Sequence, residues 1–161
     1  MCSSDLQQAR MLLANAAMAE PENLAIPRDL AKLLWSQGEG EQALKLLDSL
    51  PPEARATSEI AALHAHLTLA ETARLAPAPA ELEAALAAQP DDLDLRFQHA
   101  AVLLARDDFD GAMDALLAIA RVDRGYRHDI GRTSLLALFD LLGAAHPLTQ
   151  KYRRALSESL H

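Results

Sequence analysis

The sequence predicts an all-α solenoid of helical hairpins, with about nine helices. The first reason is a repeat with a period close to 34 residues. Ala9 is followed by Ala43 after 34 positions, and Ala43 by Ala112 after another 69, and each alanine begins a short helical run. The second reason is that valine, isoleucine and threonine are scarce, and no stretch alternates polar and apolar residues as a strand does. Half of the chain is hydrophobic but only 4% is aromatic, so alanine and leucine must carry the packing.

Residues that start or stop helices set the order of the elements. Pro21 and Pro51 end the first and third helices because proline cannot continue a helix, and Gly38 provides the turn after the second. Ser58 is placed to cap the fourth helix. The predicted helices cover 7–19, 22–37, 41–50, 58–75, 80–88, 92–105, 109–121, 130–142 and 147–160.

The later boundaries carry similar signals. The proline-containing segment 76–79 is a rigid break, Gly143 stands where a helix C-terminus needs glycine, and Pro147 fits the first turn of the last helix. Two pairs of neighbouring carboxylates are interpreted as turn and N-cap residues, namely Asp91 with Asp92 and Asp107 with Asp108.

Residues 1–6 are interpreted as foreign to the protein. Cys2 to Leu6 match the translation of the end of a widely used sequencing adapter, so the helical domain is expected to cover 7–161. The alternative is an ordinary polar N-terminus in which Ser4 or Asp5 caps the first helix. The first helix is typical of the second helix of a hairpin whose first helix is missing.

Small residues recur where two helices of one hairpin would cross. Ala31 and Ala43 occupy the eighth and twentieth positions of one 34-residue unit, and Ala100 and Ala112 occupy them in another. This pattern resembles the tetratricopeptide repeat. Between these units, 58–89 fits the pattern poorly. The resemblance implies a superhelix with a concave binding surface, and therefore binding rather than catalysis.

Composition excludes several classes of partner. The formal net charge of -8 argues against nucleic acid, whose phosphates require clustered lysine and arginine. No apolar run reaches the roughly 18 residues of a membrane span, and no signal-peptide pattern opens the chain. The single cysteine suits a reducing compartment, so a cytoplasmic location is expected.

No motif of enzymatic chemistry or cofactor binding is found in the sequence. His64 and His66 lie two positions apart, which places them about 200° apart on a helix, so they cannot share one metal ion. There is no glycine-rich phosphate loop and no nucleophile elbow. The chain is expected to have no enzymatic activity, no cofactor and no metal.

The C-terminal third departs from the repeat and has its own pattern. The segments that carry this pattern are 121–124, 135–143, 146–148 and 151–156, with Asp129 and Arg132, and the upstream segment 33–51 goes with them. Together they are similar to the end of the bacterial chaperedoxins (CnoX/YbbN type), thioredoxin-like co-chaperones with a thioredoxin domain followed by a tetratricopeptide region. Their active-site half has no counterpart here, so the resemblance implies no redox activity. The family commonly ends in an aromatic residue, whereas His161 is last here.

The resemblance implies that the protein captures unfolding clients and passes them to chaperonin and Hsp70-type chaperones. It also implies that the last helix docks on the chaperonin. An alternative for this helix is an amphipathic cap that closes the solenoid, and the two roles are compatible. The residues to which the docking role is carried are Tyr152, Arg153, Arg154, Leu156 and Leu160.

The groove offers a second set of candidate binding residues. The fifth, ninth and twelfth positions of a repeat face the groove, and in the first repeat these are Arg28, Lys32 and Trp35. Two cations on one face beside an indole could clamp an acidic peptide tail. The alternative is a solvated basic edge with Trp35 packed on a neighbouring helix. The later repeat presents Phe97 and Leu104, an apolar pair that suits unfolded clients better.

Two other functions remain open from the sequence. One is a tetratricopeptide scaffold that assembles an envelope or secretion complex without chaperone activity. The other is the regulatory helical domain of an enzyme.

Overall fold

The computed structural model describes residues 3–159, with backbone only at Ser3, and within that range every regular element is an α-helix. The all-α prediction is therefore confirmed for the described chain. The helices are α1 Ser3–Ala19, α2 Ala25–Ser36, α3 Gly40–Asp48, α4 Pro52–Arg55, α5 Ser58–Leu75, α6 Pro79–Ala88, α7 Leu93–Ala105, α8 Phe109–Val122, α9 Ile130–Leu142 and α10 Pro147–Ser159.

Ten helices are seen over 3–159 rather than about nine, because α4 is a single turn that the sequence analysis did not anticipate. Pro52 begins this turn, where its missing N–H is not needed. The start of α2 also differs from the predicted residue 22, since the Asn23 side chain accepts a hydrogen bond from the Ala25 N–H at 3.2 Å and holds a turn there.

The N-terminal segment that was interpreted as foreign is partly helical. α1 begins at Ser3 and continues without a break past Leu6. Cys2 lies outside the described residues.

The chain divides into two compact units, Met1–Leu67 and Thr68–His161, with the boundary inside α5. In the first unit, α2 packs against both α1 and α3. Ala31 and Ala43 are fully buried, as expected for residues at the α2–α3 crossing. The core around them is built from Leu30, Leu34, Leu47, Ile60 and Leu67.

In the second unit, α7 packs against α6 and α8, and α9 and α10 pack against α8 and against each other. Ala100 and Ala112 are also fully buried, which confirms the second predicted alanine pair. Asp92 accepts hydrogen bonds from the N–H groups of Asp94 and Leu95. Asp108 accepts one from Gly111, so both predicted N-caps are present.

The turn between the two helices of a repeat is left-handed in both recognisable repeats. Gly38 has a φ of 81° and its counterpart Asp107 has a φ of 61°. Glycine adopts this conformation freely, whereas the conformation costs a residue with a Cβ about 1–2 kcal/mol. Asp107 is therefore the poorer turn residue of the two.

Replacing Ala43 with leucine is expected to overpack the α2–α3 crossing and to lower the free energy of unfolding by roughly 1–3 kcal/mol. Ala43 is fully buried, so the added methyl groups have no free space. The measurement is urea unfolding followed by circular dichroism. Ala19→Leu, on an exposed position of α1, is the control and is expected to change little. Equal stability of the two variants would contradict a tight crossing at Ala43.

Candidate protein-binding surfaces

In the first unit, Arg28 is held by two carboxylates rather than left open to a partner. Its Nε donates a hydrogen bond to Asp29 Oδ1 at 2.8 Å, and its Nη1 donates to Glu59. The hydrogen bonds to Asp29 and Glu59 raise the pKa of Arg28 further above its usual value. The hydrogen bond from Arg28 in turn lowers the pKa of Asp29. Arg28 thus joins α2 to the start of α5.

The other two groove residues of α2 have different surroundings. Lys32 is exposed. Trp35 is half-buried and packs against the core cluster of the first unit. The packing of Trp35 agrees with the alternative interpretation of this face, and Lys32 is the cation that this part of α2 presents to solvent.

In the second unit, Phe97 is fully buried, whereas Leu104 is half-buried. The rings of Tyr126 and Phe97 make an edge-to-face contact, with centroids 6.5 Å apart and planes inclined at 63°. The guanidinium of Arg127 lies 5.2 Å from the centre of the Phe97 ring. The apolar groove expected at this position is therefore covered at Phe97 by two residues that lie far along the chain.

The covering residues belong to the connection between α8 and α9, residues 123–129, which we call the strap. Three successive residues of the strap have positive φ angles, namely Arg127 at 45°, His128 at 58° and Asp129 at 65°. A left-handed conformation costs a residue with a Cβ about 1–2 kcal/mol. The strap is thus strained over three consecutive positions and must be held by other contacts.

Asp94, near the start of α7, provides two of those contacts. The Tyr126 hydroxyl donates a hydrogen bond to Asp94, and Arg127 Nη2 donates to Asp94 Oδ1 at 2.9 Å. The hydrogen bond from Tyr126, with a smaller contribution from Arg127, lowers the pKa of Asp94. Burial and the same hydrogen bond raise the pKa of Tyr126. Nothing in the sequence pattern indicates this arrangement, because Tyr126 and Arg127 lie 32 and 33 residues from Asp94 along the chain.

The proposed docking helix α10 is anchored through its inner side. Tyr152 and Leu156 are only 2% and 6% exposed, so in this conformation their side chains face the protein rather than a partner. The Tyr152 hydroxyl donates to Asp110 Oδ1 at 2.6 Å. Lys151 Nζ donates to the same oxygen at 2.9 Å. The hydrogen bonds from Tyr152 and then Lys151 lower the pKa of Asp110.

Two further contacts hold α10. The Arg153 guanidinium lies 5.6 Å from the centre of the Phe139 ring on α9. Arg124 Nη2 donates a hydrogen bond to the Ser159 carbonyl at 3.1 Å, near the end of α10. Leu160, the last of the predicted docking residues, lies outside the described residues.

The outer side of α10 remains open to solvent. Arg154 is exposed and forms no ion pair with any residue between 3 and 159. It lines a shallow hollow of about 370 Å³. All the lining residues belong to α10, and they are Pro147, Gln150, Lys151, Arg154, Ala155 and Glu158.

Two kinds of feature are absent from the part of the chain that the structure describes. No group of three or more histidine, cysteine, aspartate or glutamate side chains in this range could hold a metal ion. None of the helices described is both long enough and apolar enough to cross a membrane.

The comparisons with known proteins agree with the repeat pattern. The tetratricopeptide-repeat family matches the chain twice, over residues 3–67 and over residues 72–161. These ranges nearly coincide with the two compact units. No curated protein matches the sequence significantly.

Among solved structures, the chain is similar to a domain of a protein of unknown function from Vibrio parahaemolyticus. The two are 24% identical, the match covers 98% of this chain and 92% of that one, and the TM-score is 0.46. The family assignment comes instead from the repeat matches, one of which spans more than half of the chain. Together with the two buried alanine pairs, these matches place the chain in the tetratricopeptide-repeat family, whose members are protein-binding modules.

Proposed function

We propose that this chain is the protein-binding module of a thioredoxin-like co-chaperone, which holds unfolding clients in the cytoplasm. In this proposal the outer face of α10 docks on a chaperonin or an Hsp70-type chaperone. The observation that carries it is Arg154, an exposed cation without an ion pair in the described chain, on a helix whose inner side is anchored. The resemblance of the C-terminal third to the chaperedoxins supports the choice of partner.

The anchoring of α10 favours docking because it prepares the surface in advance. Tyr152, in the first half of the helix, donates a hydrogen bond to Asp110. Arg124 donates one to the Ser159 carbonyl at the end of the helix. A partner that meets an already ordered helix loses less conformational entropy on binding. The interpretation of α10 as a cap and its interpretation as a docking element are therefore compatible, since they use opposite faces of the helix.

The net charge of the chain restricts an acidic partner to its cationic positions. The chain has a formal net charge of -8, so a partner with carboxylates would be repelled by most of its surface. Lys151 is engaged with Asp110, and Arg153 lies over the Phe139 ring. Among the described residues of α10, Arg154 is the cation that makes neither kind of contact, so it is open to a carboxylate. Contacts of this kind orient the two proteins and weaken as salt is added.

Clients are proposed to bind along the groove helices. In the first unit the accessible groove residues are Lys32 and the half-buried Trp35, and in the second unit the half-buried Leu104. Arg28 and Phe97 are engaged in contacts within their own units. The client surface proposed for this conformation is thus smaller than the five groove residues that the sequence suggested.

Arg154→Glu is expected to weaken binding to a chaperonin by about tenfold or more, because it places a like charge against the partner's carboxylates. The measurement is biolayer interferometry with immobilised chaperonin at two salt concentrations. The fold should be unaffected, since exposed charge changes cost little stability. Arg106→Glu is the matched control, because it makes the same change of net charge at another exposed arginine of the second unit.

Equal loss of binding in both variants would point to net charge alone, and unchanged binding in Arg154→Glu would remove α10 from the docking site. Arg153 is left intact, because its guanidinium lies over the Phe139 ring and its replacement would remove that contact as well. If the unaltered chain binds no chaperonin at all, the scaffold function is favoured instead.

A further inference from the structure

We propose that the strap, residues 123–129, is a conformational cover that opens to expose Phe97, and that Asp94 is the contact that keeps it closed. The proposal concerns the second unit alone and does not rest on the docking function of α10.

The closed strap is strained. Arg127, His128 and Asp129 are all left-handed, and none of them is glycine. Such residues persist only where the surrounding structure compensates for their conformation. A strap that lost its contacts would therefore relax to another conformation.

The contacts that compensate for this strain lie at the surface. Asp94 and Arg127 are exposed and Tyr126 is half-buried. The hydrogen bonds of the strap to α7 converge on the one carboxylate of Asp94. Contacts of this kind are exchanged with water more readily than buried packing, so the strap has the features of a segment that opens locally.

The strap covers an aromatic side chain of α7. Phe97 is fully buried beneath Tyr126 and Arg127. It lies on α7 one turn before the buried Ala101, and Leu104 follows on the same face. Opening of the strap would uncover an aromatic ring at the start of this apolar row. The strap thus controls access to the part of the groove helix that the repeat pattern assigns to binding.

Hydrogen–deuterium exchange of the full chain tests the proposal. The amides that report on the closed state are those of Tyr126, His128 and Ile130, all of which donate to carbonyls of the strap. In Asp94→Ala these amides are expected to exchange roughly tenfold faster, as the loss of a charge-assisted hydrogen bond implies. Amides in the middle of α8 should keep the exchange rate of the parent.

Asp91→Ala is the matched control, because it removes a negative charge from the exposed approach to the same helix. It is expected to leave strap exchange unchanged. Equal acceleration in both variants, or no acceleration in Asp94→Ala, would overturn the role of Asp94. Acceleration of α8 to the same extent as the strap would show that Asp94 stabilises the whole unit rather than holding a cover.

A second measurement reports on Phe97 directly. The chain has 3 phenylalanines, so fluorophenylalanine labelling gives three fluorine resonances. Loss of the Tyr126 ring beside Phe97 should shift the Phe97 resonance in Asp94→Ala and leave those of Phe109 and Phe139 in place. A Phe97 resonance identical to that of the parent would mean that the ring stays covered, which would contradict the proposal.

Discussion

Tyr152→Ala is expected to lower the free energy of unfolding of the second unit by about 3–5 kcal/mol, the range found when a buried aromatic ring is removed. The ring is 2% exposed where α10 packs on α8, so its loss leaves a cavity. The variant also loses the hydrogen bond to Asp110. Thermal unfolding followed by circular dichroism should show a midpoint lower by roughly 10 °C or more.

Tyr152→Phe is the control that separates the ring from the hydroxyl. It keeps the buried ring and is expected to cost much less than the alanine variant. Its deficit should also depend on pH. The hydrogen bonds from Tyr152 and Lys151 lower the pKa of Asp110 in the folded state, so their stabilisation is present above the ordinary carboxyl pKa. The deficit should therefore shrink as the pH falls below about 4.

The same variants decide between the two interpretations of α10. A cap must contribute to stability, whereas a docking tail can be altered without cost to the fold. A loss below about 1 kcal/mol in Tyr152→Ala would be the size expected at a surface position, and it would show that α10 is not anchored as described. A large loss confined to Tyr152→Ala, with Arg154→Glu folded as the parent, would support a cap with a separate outer docking face.

Gly131→Val is expected to cost about 3 kcal/mol by overpacking the contact between α8 and α9. A Cβ at Gly131 would lie 3.0 Å from the Leu116 carbonyl oxygen and 3.1 Å from the Ala120 nitrogen. Both are backbone atoms of α8, so the helices themselves would have to separate. The measurement is urea unfolding, with the midpoint expected to fall and the slope to stay unchanged.

Gly125→Val, within the strap, is the control for this substitution. A Cβ at Gly125 would lie 3.4 Å from Asp123 Oδ1, which is ordinary contact with an exposed side chain. The expected change is within about 0.5 kcal/mol. Similar losses at the two glycines would mean that valine acts through backbone conformation rather than through the closeness of α8 and α9.

The helices and the hairpin crossings could be predicted from the sequence, because their causes are local. Helix formation depends on residues within one turn. Pro51, Gly38 and Asp108 therefore each indicate a helix boundary close to their own position. The alanine pairs could be recognised because the two alanines of each pair are separated by the same number of residues. Ala31 with Ala43 and Ala100 with Ala112 are all fully buried as expected.

The candidate site was less predictable, because its contacts join residues that no period relates. The repeat pattern places Phe97 on the groove face of α7, but it does not show that Tyr126 and Arg127 return to cover that ring. In the same way, the amphipathic pattern of the last helix predicts a buried face without naming Asp110 as its partner.

The close approach at Gly131 was missed for a related reason. A glycine inside a helix lowers the helix propensity whatever its purpose, and the sequence does not say which neighbouring backbone comes near. Periodicity therefore specifies which side of each helix is apolar. Which loop, carboxylate or helix covers that side depends on the path of the chain in three dimensions, and it is this path that leaves Arg154 open and closes the strap over Phe97.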